Sequence, residues 1–120
     1  MNHRQIGRWG EALAADYLLG RGYEVLHRNV QTPYGEIDLI AQREGMIIFI
    51  EVKARTGSSF GLPEEAITEK KRSHLLAAIQ YYWQSCGTES PWQVDVIAIL
   101  GRPDRPGEVK IEHFENALTA

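Results

Sequence analysis

Residues 35–55, GEIDLIAQREGMIIFIEVKAR, form two apolar runs joined by a short turn, with Asp38, Glu51 and Lys53 set inside the runs. Ile- and Phe-rich segments separated by Arg43-Glu44-Gly45 are the pattern of a β-hairpin. A charge in such surroundings is costly unless it is paired or bound to something. Side chains alternate along a strand. Glu51 and Lys53 therefore point the same way as Ile47, Phe49 and Arg55, and Asp38 is expected on a face with Glu36 and Ile40. A hairpin centred on Glu44 pairs residues whose numbers sum to about 88 or 89, which sets Asp38 opposite residue 50 or 51. Asp38 and Glu51 are then cross-strand neighbours.

The rest of the chain supplies a frame for this hairpin. Ile6, Trp9, Leu13 and Tyr17 recur at helical spacing and predict a helix from about residue 6 to 19, ended by Gly20 and Gly22. A second stripe of Gly7, Glu11, Ala14, Ala15 and Leu18 is mostly small, so the helix can approach a sheet closely with Glu11 along the seam. YEVLHR, 23–28, reads as the first strand, and the second is entered through the turn signal Pro33-Tyr34-Gly35. TGSSFGLP, 56–63, reads as a loop. Leu75, Leu76, Ile79, Tyr82, Trp83 and Cys86 mark the buried face of a helix over 68–86, with Gly87 following as its C′ residue. WQVDVIAIL, 92–100, is apolar enough for a strand covered on both faces, and VKIEHF, 109–114, is the last strand. The expected order is αβββαββ, an α/β fold in one domain spanning 1–120.

Composition narrows the function classes. At 120 residues, 43% hydrophobic and 24% charged, the chain resembles an ordinary soluble globular domain. No apolar run approaches the ~20 residues of a membrane helix, and MNHRQIGRWGEA holds no apolar signal core. A single cysteine excludes an internal disulfide and a thiolate zinc cluster. No membrane association is expected, and cytoplasmic localisation is the default expectation. The net charge of −3 does not mark a nucleic-acid binder. The basic residues are nevertheless grouped: Arg4 and Arg8 lie one helical turn apart, Lys70, Lys71 and Arg72 are consecutive, and Arg55 follows EVKA. A local positive groove on an acidic protein fits this distribution.

Two neighbouring carboxylates in a partly buried site repel each other, and a hard divalent cation such as Mg²⁺ or Mn²⁺ removes the conflict. Asp38 and Glu51 are the candidate ligands, with the backbone carbonyl of Val52 beside them. Lys53 would serve the attacking water or the phosphate in metal-assisted hydrolysis of a phosphodiester. The alternative is a structural ion-pair cluster at a strand end.

An Asp followed 13 residues later by Glu-x-Lys on an apolar hairpin resembles the PD-(D/E)xK nuclease superfamily. A Glu on the N-terminal helix, here Glu11, resembles the arrangement in archaeal Holliday-junction resolvases. GEIDLIA, IFIEVKAR, FGLPEEAITEKK and IEHFENA, in that order, are similar to the YraN-like family of uncharacterised bacterial proteins across nearly the full chain. The resemblance implies a restriction-endonuclease-like three-layer α/β/α fold with a mixed central sheet. It implies catalytic Glu11, Asp38, Glu51 and Lys53, a divalent metal, and a nucleic-acid substrate. Glu11 would assist the metal directly or through water. A homodimer is compatible with it, since resolvase relatives cut two strands with paired sites. Two positions depart from the superfamily pattern: Ile37 stands where a Pro precedes the Asp, and Gln93-Val94 stand in place of Arg-Phe before Asp95.

The remaining polar residues divide as follows. Lys70 and Lys71 open a helix, where cations oppose the dipole and a bound phosphate reverses the sign, so both join Arg55 as nucleic-acid-binding candidates. Glu36 reads as a rim charge or salt-bridge partner outside the catalytic set. Asp95 reads as a structural hydrogen-bonding residue. His27, His74 and His113 lack metal-ligand spacing, and Cys86 reads as a small buried hydrophobe. The reading is a metal-dependent endonuclease acting on DNA, with structured or branched DNA favoured over a long sequence-specific site. The alternative is a non-catalytic nucleic-acid-binding or protein-interaction module that keeps the nuclease fold.

Overall fold

The computed structural model describes residues 2–56, 68–86 and 89–118. The elements are α1 (His3–Gly20), β1 (Glu24–Thr32), β2 (Gly35–Arg43), β3 (Met46–Arg55), α2 (Glu69–Cys86), β4 (Trp92–Leu100) and β5 (Lys110–Phe114), the order expected from the sequence. The strands form one five-stranded mixed sheet in sequential order. All neighbours are antiparallel except β3 and β4, which run parallel with α2 between them in sequence. Gly87, the body of the 56–63 loop and most of the FGLPEEAITEKK motif lie outside the described residues, as does the side chain of Cys86.

Two apolar clusters flank the sheet and make three layers. Ala14, Ala15 and Leu18 of α1 pack with Leu39, Ala41, Ile48, Ile50, Ile97 and Ile99 on one face. Leu75, Ala78 and Ile79 of α2 pack with Ile37, Ile40, Ile47, Phe49 and Val94 on the other. Each fully buried Leu or Ile contributes about 1.5–3 kcal/mol relative to exposure. As its largely apolar run predicts, β4 is buried on both faces from Val94 to Ile99, Asp95 included.

Several boundaries move for local reasons. Helix α1 starts at His3, three residues early, because Asn2 and Gln5 form a reciprocal capping box. Strand β1 continues to Thr32, so that only Pro33 and Tyr34 connect it to β2. A 3₁₀ turn, Pro106–Glu108, stands between β4 and β5.

The close helix–sheet contact falls on a different glycine from the one expected. A Cβ on Gly7 would meet open space, whereas one on Gly10 would lie 2.6 Å from Ala54 Cβ on β3. Gly10 is buried at this crossing, and it is what lets α1 lie flat enough to bring Glu11 to the sheet. Asp95, fully buried on β4, accepts hydrogen bonds from Gln93 Nε2 (2.8 Å) and the Asn116 N–H (2.9 Å) and contacts His113 Nε2 at 2.7 Å. Tyr17 Oη stands 3.2 Å from the other ring nitrogen of His113. The IEHFENA motif therefore ties β5 and the segment after it to β4 and α1, as the structural reading of Asp95 anticipated.

Gly10→Val is expected to overpack the α1–β3 crossing and destabilise the fold by about 1–3 kcal/mol. Thermal melts check this; a variant melting with the parent would mean that α1 does not need this close approach.

Candidate functional site

The hairpin turn sets the geometry of the site. Glu44 and Gly45 both have positive φ, 52° and 80°, as a two-residue type I′ turn requires. Arg43 therefore pairs with Met46, and the ladder runs back through Ile40↔Phe49 to Leu39↔Ile50. The pairing between β2 and β3 stops there. β2 continues on β1 alone, pairing Ile37 with Val30 and Glu36 with Gln31, while β3 continues on β4 to Arg55. The sheet thus forks immediately after Leu39 and Ile50.

Asp38 stands in the fork. Its Oδ2 accepts a hydrogen bond from the Val52 N–H at 2.8 Å, so a side chain takes over where the backbone ladder ends. The alternation of faces also breaks here. Ile37 joins the α2-side cluster and Leu39 the α1-side cluster, although two residues on one regular strand would share a face. Of the face expected for Asp38, Glu36 is met, with Glu11 joining it, while Ile40 packs in the α2-side core. One oxygen from each of Glu11, Glu36 and Asp38 lies within 4.8 Å of the others.

Glu36, read from sequence as a rim charge, is therefore a member of the cluster. Its Oε2 accepts from Gln31 Nε2 at 2.5 Å. Asn29 was not singled out either. Its φ of 52° places a non-glycine residue in left-handed backbone in mid-strand, a conformation Asn tolerates better than most. With its amide nitrogen turned to the carboxylates, Asn29 donates to Glu11 Oε2 at 2.5 Å and Glu36 Oε1 at 2.8 Å. The only sequence signal for either residue was adjacency to Asp38, in GEID for Glu36 and across the β1–β2 hairpin for Asn29.

Glu51 and Lys53 occupy the α2 side of the fork. Glu51 is buried and forms an ion pair with Lys71, which lies in the first turn of α2. Thr68 orders that turn, its Oγ1 accepting from the Lys71 N–H at 3.2 Å. Lys71, expected to meet nucleic acid, thus reaches the site itself. Tyr34, Gly35, Glu36, Glu51, Lys71 and His74 line a cleft of about 180 Å³ on this side. Lys70 is exposed beside it, Arg55 is exposed with its Nη1 on the carbonyl of Ala54, and Val52 meets Asp38 through its N–H. Glu11, Asp38, Glu51 and Lys53 are all brought to the fork, whereas Arg55 and Lys70 stand at its margin.

The electrostatics of the fork are perturbed throughout. Burial, and then the Glu51 charge, push the Asp38 carboxyl up to about 8 against the opposing Val52 N–H bond. Glu11 is raised by burial and by Glu36, with Arg8 opposing. Burial, followed by the Lys71 ammonium, lowers Lys53 to about 8. Burial, the largest single influence, would lower Lys71, but its hydrogen bonds to Glu51 and Lys53 and the charges of Glu51 and Asp38 together raise it. Among the described residues no ion pair reaches Glu11, Glu36 or Asp38. An all-oxygen donor set with uncompensated like charge suits a hard divalent cation.

The profile of the "Uncharacterised protein family UPF0102" matches residues 10–99. A UPF0102 protein from Syntrophomonas wolfei is 43% identical over 117 residues, covering 97% of this chain and 99% of the relative. One from Pelotomaculum thermopropionicum is 46% identical over 115 residues, covering 94% of each. One from Thermodesulfovibrio yellowstonii is 43% identical over 114, covering 95% and 96%. The chain belongs to the UPF0102 family, in agreement with the YraN-like resemblance of its motifs.

The pKa shifts give a prediction with a definite sign. Between about pH 4 and 8 folded Asp38 keeps a proton that the unfolded chain releases, so its contribution to stability falls as pH rises through that window. From about pH 8 to 10.5 the unfolded chain holds the Lys53 proton that the folded state has lost, so stability recovers. A divalent cation needs the ionised carboxylate and displaces that proton. Mg²⁺ or Mn²⁺ is expected to raise the melting temperature more at pH 8 than at pH 6, and Asp38→Asn to lose the difference. Equal metal effects at both pH values would contradict this.

Proposed function

We propose that this UPF0102 protein is a divalent-metal-dependent endonuclease that hydrolyses phosphodiester bonds in DNA. The observation that carries the reading is the convergence of Glu11, Glu36 and Asp38 at the sheet fork, with the depressed ammonium of Lys53 on the same hairpin. The resemblance of GEIDLI and EVKAR to PD-(D/E)xK nucleases supports the same assignment. Asp38, Glu11 and Glu36 would hold Mg²⁺ or Mn²⁺, with Glu51 and the Val52 carbonyl as further oxygen donors. When bound, the cation neutralises the crowded carboxylates and polarises the scissile phosphate.

The chain's own groups do the rest. The Val52 N–H fixes Asp38 in one orientation, and Asn29 and Gln31 restrain Glu11 and Glu36. Lys53 Nζ, shifted to about 8, is available near neutral pH in both protonation states. Uncharged, it receives the proton of the attacking water; charged, it donates to an oxygen of the phosphate. Lys71 holds Glu51 and adds a second ammonium to the α2-side cleft, where a phosphate would meet it. The domain offers little surface for reading bases, so recognition rests on backbone and shape, which favours branched or otherwise structured DNA. A pair of chains would supply two sites for two strands.

A rival reading has one observation in its favour. Glu51 is already neutralised by Lys71, as a structural ion pair would be, and a non-catalytic nucleic-acid-binding or interaction module could keep that pair.

Cleavage of labelled linear, flapped and four-way DNA with Mg²⁺, Mn²⁺ or EDTA separates the two. Metal-dependent cutting is expected, reduced at least about a hundredfold by Asp38→Ala and by Glu51→Ala, since general acid–base and metal contributions are of that order. Cutting that survives both substitutions, or never appears with any metal, would remove the assignment.

A further inference from the structure

The acidic cluster has a second margin, on the α1 side of the sheet. Arg8, Glu11, Ala12, Arg28, Asn29 and Leu39 line a cleft of about 190 Å³. It shares Glu11 and Asn29 with the carboxylate cluster, and the Lys71 cleft lies on the other face. Arg8 comes from α1 and Arg28 from β1, so two elements converge to present two guanidinium groups to one hollow. Both residues are exposed. Neither forms an ion pair or a side-chain hydrogen bond among the described residues. Glu11 is the one carboxylate lining the hollow, and Arg8 acts on it only through the longer-range Coulomb attraction that opposes its raised pKa.

Both guanidinium groups are therefore open to an incoming anion. Arg4 and Arg8 are like charges at i and i+4, which repel along the helix. The first turn of α1 carries no acidic residue to complement the dipole. A guanidinium presents a planar fork of donors matched to phosphate oxygens, which makes Arg the better residue for such a contact.

We propose that Arg8 and Arg28 form a phosphate-binding cleft for the nucleic-acid backbone, on the opposite face of the sheet from Lys53 and Lys71. This rests on the nucleic-acid reading above but not on catalysis. A bound strand then crosses the forked edge of the sheet, with phosphates held on the α1 side by arginine, on the α2 side by lysine, and the acidic cluster between them.

The test is equilibrium binding of a labelled forked DNA across salt concentrations, with Ca²⁺ replacing Mg²⁺. The parent is compared with the Arg8→Gln/Arg28→Gln, Arg8→Lys/Arg28→Lys and Arg102→Gln/Arg105→Gln double variants. The last removes the same charge from a loop where the arginines already face Asp104 and Glu108. The Gln pair at 8 and 28 is expected to bind about tenfold more weakly and to lose about 0.7–0.9 of salt slope per lost phosphate contact. The Lys pair should recover most of the slope, and the loop variant should match the parent. That pattern supports the cleft whether or not any DNA is cut. Unchanged binding by the Gln pair, or an equal loss in the loop variant, overturns the cleft even if the parent cuts DNA. A parent that binds no DNA at any salt overturns both readings.

Discussion

The arrangement at the site depends on one hydrogen bond, from the Val52 N–H to Asp38 Oδ2 at 2.8 Å. It lies where β2 and β3 cease to pair, and it joins two strands that are going to different neighbours. Both groups are partly shielded from water, where an N–H without a partner is costly and so is a carboxylate without a donor. Each satisfies the other. The bond also orients Asp38 against the repulsion of Glu51, Glu11 and Glu36, whose charges all raise its pKa. The fork is thus held open by geometry and held together by a side chain, which leaves room for Glu11 to enter from α1 and Lys71 from α2.

Much of this was legible in the sequence. Periodicity and turn residues gave the element order, and the hairpin turn narrowed the register to two, one of which is observed. The long, mostly apolar run of β4 foretold cover on both faces. Asp38, Glu51 and Lys53 were visible as charges inside apolar strands, because burial makes such residues conspicuous in one dimension. Asp95 stood out for the same reason, and its three partners explain how a fully buried carboxylate is tolerated.

What escaped the sequence depends on three-dimensional departures from regularity. Strict alternation put Asp38 on a face with Ile40, but the fork twists β2 so that Ile37 and Leu39 fall on opposite sides. Glu36 was expected on a face with Asp38 and left at the rim, and the spatial approach of Glu11 is what makes it a member of the cluster. Asn29 lies in an unremarkable polar stretch, and its left-handed backbone cannot be read from composition. Lys71 was expected to meet nucleic acid together with Lys70 and Arg55, not to pair with a site carboxylate. Its capture by Glu51 follows from the start of α2 at Thr68, which sets where the first turn faces. Gly10 rather than Gly7 makes the close crossing because Ala54 lies beneath it, a tertiary coincidence.

The two-residue turn at Glu44-Gly45 acts as a ruler for the chemistry. Lengthening it by one amino acid would slide β3 a single step along β2, and each β3 side chain would exchange one surface of the sheet for the other. Glu51 and Lys53 would then leave Lys71 and meet α1, while Asp38 would reach for a different amide. Length variation is thus mechanically forbidden at this tip, while the 102–108 segment could absorb added residues without disturbing the phase of the hairpin.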